Sequence, residues 1–266
     1  MSLRITQNVE AFNAYRNLNK TSMAVSKSMA RLSSGYRINS AADDAAGLGI
    51  SESMRSQVRG LAQAQRNIQD GISMVQTAEG NLDEVHSMLQ RVRELAVQYK
   101  NGSLDTNAQT SIQNEVNQLA SEISRIGSSA AFNGINLLNG TSTVSFQVGA
   151  NDGEQIGVSL VNLATQVGTS YTTLSSSTAL ADIDTAIKNV SSSRATFGAV
   201  QNRLEHSLGV SAAYQENLTS AESRIRDVDM AEEMVSLTKN QILSQAGTAM
   251  LSQANQSPQS VLRLLG

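Results

Sequence analysis

The run MRSQVRGLAQAQRNIQDGISMVQTAEGNLDEVHSMLQRVRELAVQY, residues 54–99, decides the fold. Apolar or Ala residues fall at Met54, Val58, Leu61, Ile68, Ile72, Val75 and Ala78. They continue at Leu82, Val85, Leu89, Val92, Ala96 and Tyr99, with Gln65 as the one polar position in the stripe. Steps of four and three alternate, which marks a long amphipathic helix with a coiled-coil seam. Two three-residue steps meet near Val75–Ala78, so the spacing predicts a local overwinding there. Asn101-Gly102 ends the run, as Gly commonly does beyond a helix.

Working outward, a second helix is expected from Thr106 to Ile126, with Ile112, Val116, Leu119 and Ile123 on one face. The short turn 100–105 folds it back on the first. Residues 130–175 change texture. Asn133-Gly134, Asn139-Gly140 and Asp152-Gly153 are turn pairs. Val144–Val148 and Ile156–Leu160 read as short strands, followed by a Ser/Thr-rich loop, Thr169–Thr178. Helix returns at Ala179, striped less regularly by Ile183, Ile187, Val190, Ala195, Val200, Leu204 and Leu208. A soft point is expected at Gly209, then helix from Glu216 to Ala254, with Pro258 stopping or kinking it. At the front, Val9, Phe12, Leu18, Val25, Met29 and Leu32 lie near one helical face, broken at Gly35 and at Ala41–Gly49.

Composition agrees with a helical reading. The 266 residues include no Cys, no Trp, one Pro and nine aromatics, but 37 Ser, 21 Asn and 21 Gln. A compact core of this size usually carries more aromatic bulk. The net charge of −3 argues against non-specific nucleic-acid binding. No apolar run approaches a membrane span. The first residues lack the apolar core of a cleaved signal peptide. Both outer segments are thinly hydrophobic, and such helices are marginal in water unless they pack on something. Residues 1–40 carry six basic side chains and one acid, and residues 221–266 four basic and five acidic, which mildly favours pairing the ends.

The ends also carry long motifs. Gln7-Asn8-Val9-Glu10-Ala11-Phe12 leads to Arg31-Leu32-Ser33-Ser34-Gly35-Tyr36-Arg37-Ile38-Asn39-Ser40-Ala41-Ala42-Asp43-Asp44. Gln90-Arg91-Val92-Arg93-Glu94-Leu95-Ala96 and Ala131-Phe132-Asn133-Gly134 follow. The other end holds Ser223-Arg224-Ile225-Arg226-Asp227-Val228-Asp229-Met230-Ala231-Glu232-Glu233-Met234 and the tail Val261-Leu262-Arg263-Leu264-Leu265. Over about residues 1–140 and 180–266 the chain resembles bacterial flagellin, in a minimal form without large outer domains.

The resemblance implies a mainly α fold: an elongated antiparallel helical bundle or coiled coil with a small β-hairpin region. It implies an inner-tube terminal domain, residues 1–44 with 221–266, and a helical rod domain, residues 45–220. It implies a structural subunit that polymerises into the flagellar filament, its terminal helices folding on assembly. The partners implied are further copies of itself in a helical homopolymer, a secretion chaperone, the flagellar export apparatus and the filament cap. No membrane or nucleic-acid partner is implied. The location would be extracellular, reached without a cleaved signal peptide.

Candidate sites follow from the same comparison. Gln90, Arg91 and Leu95, with Glu115 on the next helix, are candidates for axial contact between subunits and for docking by the vertebrate Toll-like flagellin receptor. Asp43 and Asp44 would mark the joint between the domains. Their paired carboxylates invite a metal or acid–base reading, but the Ala- and Gly-rich surroundings favour a charged helix start. Ile242, Leu243, Met250, Leu251, Val261, Leu262, Leu264 and Leu265 are candidates for chaperone and inner-tube contacts. His86 and His206 lack a second ligand at helical spacing, so no metal, cofactor or catalytic residue is expected. A hook–filament junction protein and a flagellin-like enzyme are the rival readings. The C-terminal motif opposes the first, and the absence of a catalytic constellation opposes the second.

Overall fold

The computed structural model describes residues 8–169, 172, 174 and 180–265, and side chains as far as residue 256. Six helices run in order: α1 (Val9–Ser34), α2 (Ala45–Tyr99), α3 (Thr106–Ser129), α4 (Leu163–Val167), α5 (Leu180–Arg226) and α6 (Met230–Leu265). Four short strands lie between α3 and α4: β1 (Ala131–Phe132), β2 (Ile135–Asn136), β3 (Thr143–Gln147) and β4 (Gln155–Ser159). The chain forms two compact units, residues 1–56 with 218–266, and residues 57–217. The expected borders lay at 44/45 and 220/221; α2 and α5 contribute to both units. The expected Ser/Thr-rich loop, Thr169–Thr178, falls largely outside the described residues.

The central unit is built on the α2 seam. That seam runs through the buried positions Leu61, Ala64, Ile68, Gly71, Val75, Ala78, Leu82, Val85, Leu89, Val92 and Ala96, with Met74 and Leu95 buried beside it. The seam positions alternate steps of three and four without a slip, which corrects the overwinding expected at Val75–Ala78. The seam passes through Ala64 and Gly71, not through Gln65 and Ile72. At Gly71, and at Gly60 beside the seam, the small residue makes room for the β region. A Cβ on Gly71 would stand 3.2 Å from the Phe146 ring, and one on Gly60 would stand 3.1 Å from Ala150 Cβ. Gln65, half-buried beside the seam, donates from Nε2 to Gln215 Oε1 at 2.6 Å.

Helix α5 runs antiparallel to α2. Arg93 pairs with Asp184 at 2.6 Å, and Arg194 with Glu79 at 2.6 Å and Asp83 at 2.8 Å. Its buried positions, Ile183, Ala186, Val190, Ser193, Phe197, Val200 and Leu204, alternate steps of three and four, and Ser211 follows two turns on. The stripe is carried by Ala186, Ser193 and Phe197 rather than by Ala195, which is exposed. Gly209 does not interrupt α5. An exposed helical Gly costs about 1 kcal/mol, less than the packing of the flanking turns.

Helix α3 starts at Asp105, whose carboxylate accepts from Ala108 N–H at 2.8 Å, and buries Ile112, Val116, Ile123 and Ile126. The β1–β2 hairpin turns through Asn133 and Gly134, both with positive φ (48° and 79°). That is what a two-residue hairpin loop demands. Strands β3 and β4 pair antiparallel and bury Ile156 and Val158 on one face. Asn67 Nδ2 donates to Gln147 O at 3.2 Å, and Ser211 Oγ to Val148 O at 3.1 Å, tying this hairpin to α2 and α5.

The continuous C-terminal helix expected from Glu216 to Ala254 is two helices. The break at 227–229 exists because Asp229 caps α6: its carboxylate accepts from Ala231 N–H at 2.9 Å and Glu232 N–H at 3.2 Å. Pro258 does not end α6, which continues to Leu265. Proline deletes one N–H donor, and a helix whose other turns remain bonded continues past it.

Candidate functional site

The terminal unit pairs α1 with α6. Asn8 Nδ2 donates to Ala254 O at 2.7 Å, Arg31 meets Glu233 at 3.3 Å, and Leu18 lies against Gly247. The register is therefore antiparallel. Along α1 the inward positions include Ala11, Ala14, Leu18, Thr21, Val25, Ser28 and Leu32. Along α6 they include Glu233, Leu237, Asn240, Ser244, Gly247, Leu251 and Ala254. Both sets alternate steps of three and four, as a coiled-coil seam requires. Most are small or polar.

The larger apolar side chains point elsewhere. Phe12 is 67% exposed, Val235 70% and Ile242 60%, and Tyr15, Leu243 and Met250 are exposed with them. The one-face stripe expected on α1 is thus two sets: Leu18, Val25 and Leu32 turn inward, and Val9, Phe12 and Met29 turn out. The loose pairing leaves a groove of about 920 Å³ lined by Asn17, Leu18, Leu243, Gly247 and Met250 among others. Of the residues singled out at this end, Ile242, Leu243 and Met250 are exposed and Leu251 is half-buried. The side chains of Val261, Leu262, Leu264 and Leu265 lie outside the described residues.

Two joints meet at the base of α1 and α6. Gly35 closes α1 in the left-handed conformation (φ 75°), its N–H donating to Arg31 O at 2.8 Å. Val228 N–H donates to Gly35 O at 3.0 Å, and Arg37 N–H to Arg226 O at 2.7 Å. The Arg226 guanidinium lies 4.9 Å from the Tyr36 ring centre and 2.6 Å from Glu52. Asp44 caps α2, its carboxylate accepting from Gly47 N–H at 2.9 Å. Any Cβ at Gly47 would collide with that carboxylate. Asp43 pairs with Lys27 at 2.6 Å and accepts from Ser40 N–H and Oγ. The Lys27 hydrogen bond, aided by Ser40, lowers the Asp43 pKa to about 2. Both carboxylates are occupied structurally, inside the terminal unit.

On the central unit, Gln90, Arg91 and Glu115 are exposed. Arg91 lies 2.8 Å from Glu115 and 3.1 Å from Glu94, and the Glu115 bond foremost raises its pKa. Leu95 is not part of this surface. It is 1% exposed, inside the core, because both it and Ala96 fall on the wide buried face of α2. Glu94 takes its place beside Arg91, and sequence spacing could have found it at i+3. Among the described residues no cluster of His, Cys, Asp and Glu could hold a metal, and no helix is long and apolar enough to cross a membrane.

Residues 5–143 match the bacterial flagellin N-terminal helical region, and residues 180–265 the bacterial flagellin C-terminal helical region. A flagellin of Halalkalibacterium halodurans is 52% identical over 98% of this chain and 99% of its own. A Bacillus subtilis flagellin is 48% identical over 99% of this chain and 100% of its own. Among solved structures, Bacillus cereus flagellin superposes with a TM-score of 0.51 at 29% identity, covering 55% of this chain and 88% of that one. The chain therefore belongs to the bacterial flagellin family, and is as such a structural subunit of the extracellular flagellar filament rather than an enzyme.

Proposed function

We propose that the terminal unit drives polymerisation by folding firmly only when several copies cover one another. The observation that carries this is the inversion within α1 and α6: small residues fill the seam, and Phe12, Val235, Ile242 and Met250 face out. Covering a large apolar side chain contributes about 1.5–3 kcal/mol. Seam residues such as Ala14, Ser28, Ser244 and Gly247 contribute far less. Neighbouring copies thus supply the burial that the isolated pair lacks. A heterologous, non-closing interface then builds a filament instead of a ring.

The same exposed residues favour a chaperone partner. Before assembly, Ile242, Leu243 and Met250 present an apolar helix face that a secretion chaperone would cover in a groove. The route out is the flagellar export apparatus, with addition beneath the filament cap.

The test is electron microscopy after adding a precipitating salt or filament seeds. The full chain is expected to form long filaments, and a version lacking residues 1–40 and 221–266 to form none. Filaments from the truncated chain, or none from the full chain even when seeded, would overturn the reading.

A second role rests on Arg91. Its guanidinium is exposed yet held in place by Glu94 and Glu115. A pre-ordered cation of this kind suits recognition by another protein. The reading is that the vertebrate Toll-like flagellin receptor docks on Gln90, Arg91 and Glu115 of the free subunit, and that the same surface serves axial contact in the filament. An Arg91→Ala subunit is expected to lose about tenfold or more in receptor-reporter potency. Unchanged potency sinks this role.

A further inference from the structure

We infer that the methionines of the terminal unit are an oxidation-sensitive modification site that controls whether the subunit can assemble. The inference rests on the assembly reading above. Six of the eight Met among the described residues lie in the terminal unit, although that unit is the smaller of the two. Five of them are half or more exposed: Met23 (65%), Met29 (56%), Met230 (51%), Met234 (50%) and Met250 (63%). Met74, in the central unit, is 1% exposed. The chain has no Cys, so thioethers are its most readily oxidised sulfurs.

The chemistry needs only a peroxide. The thioether sulfur attacks one peroxide oxygen, the O–O bond breaks, and an S–O bond forms. Sulfur is oxidised by two electrons, and the departing hydroxide takes the remaining proton to leave as water. The product is a sulfoxide, a strong hydrogen-bond acceptor on a side chain that was apolar. In the free subunit that change costs little, because water solvates the new oxygen. Within an interface the same oxygen has no donor, and burying it unpaired opposes assembly. Met234 and Met250 share their helix with outward Val235, Ile242 and Leu243, so the sulfoxides arise on the apolar surface that assembly would cover. A reductase specific for methionine sulfoxide restores the thioether.

The experiment treats the full chain with hydrogen peroxide, maps sulfoxide at each Met by peptide mass spectrometry, and measures elongation on filament seeds. Untreated chain must first elongate the seeds; failure there refutes the assembly reading, not the chemistry. The expected result is oxidation of the five exposed residues about tenfold or more faster than Met74, with elongation falling about tenfold and recovering after sulfoxide reductase. Elongation within about twofold of untreated, once the five are oxidised, overturns the inference. So does equal oxidation of Met74, or a loss that the reductase does not reverse, since both indicate unfolding damage. A chain with all five changed to Leu gives a second reading, each protein scored against its own untreated sample. Its treated-to-untreated ratio should approach one; a ratio as low as the parent's overturns the inference. Should the substituted chain fail to assemble, reductase recovery of the parent decides.

Discussion

The seam between α2 and α5 and the seam between α1 and α6 share one spacing and differ in what fills it. Both place inward residues at alternate steps of three and four. In the central unit those positions hold Leu82, Leu89, Ile183, Phe197 and Leu204, each 1% exposed or less. In the terminal unit they hold Ala, Ser, Thr, Asn and Gly among a few Leu, with Phe12 and Ile242 left outside. Spacing therefore decides which helix faces pair, and side-chain size decides how firmly. One unit is closed within the chain. The other leaves Phe12, Val235 and Ile242 uncovered within the chain.

The largest effect should come from removing bulk on either side of this contrast. Leu89→Ala is expected to destabilise the central unit by about 2–5 kcal/mol, read by urea unfolding of the monomer. Ile242→Ala should change monomer stability by about 0.5 kcal/mol or less, yet slow seeded elongation by about tenfold. Equal unfolding costs for the two variants would break the comparison.

Glycine sharpens it. Gly71→Ala presses a methyl to 3.2 Å from the Phe146 ring, and Gly247→Ala brings one to 3.3 Å from the tip of Leu18. Ala gains about 1 kcal/mol of helix propensity at either site. The Phe146 ring is confined by the β3–β4 hairpin, whereas Leu18 borders an open groove. Gly71→Ala should therefore destabilise by about 1–2 kcal/mol. Gly247→Ala should be neutral or stabilising by up to about 1 kcal/mol. Thermal unfolding of both variants checks the opposite signs.

The smallest effect concerns the joint. The Asp43 carboxyl is lowered from 3.8 to about 2, chiefly by Lys27, so its ionised form stabilises the fold. That contribution is complete above pH 3.8 and fades as the pH falls toward about 2. Asp43→Asn should lower the melting temperature slightly near neutral pH. The gap to the parent should close across that acid window. A gap that persists at the acid end would remove Asp43 from this role.

Much of the helical order was legible because apolar residues repeat at helical spacing over long runs. What stayed hidden has a common cause. Ala64, Gly71, Ala186 and Ser193 sit in the seams but carry little apolar signal beside the larger neighbours Ile72 and Ile187, so by sequence the α2 stripe reads as slipped and the α5 stripe as ragged. The α5–α6 break was readable in principle from Asp229 followed by Glu232, a helix-start pair inside a run that otherwise reads as helix. Four-residue spacing places Leu95 on the same side of the helix as Arg91, but the buried face of α2 is wide enough to take both Leu95 and Ala96.

The sequence by itself determined the helical class, the turns at Asn101-Gly102 and Asn133-Gly134, and family membership, because periodicity, backbone preference and long motifs are local properties of a chain. Only the tertiary structure decided which stripe residues face inward, that Gly71 makes room for Phe146, and that the terminal helices turn their bulk outward. Those outcomes depend on which surface arrives opposite each residue. A side chain is core or contact surface according to its neighbour, and its neighbour here lies up to 246 residues away along the chain.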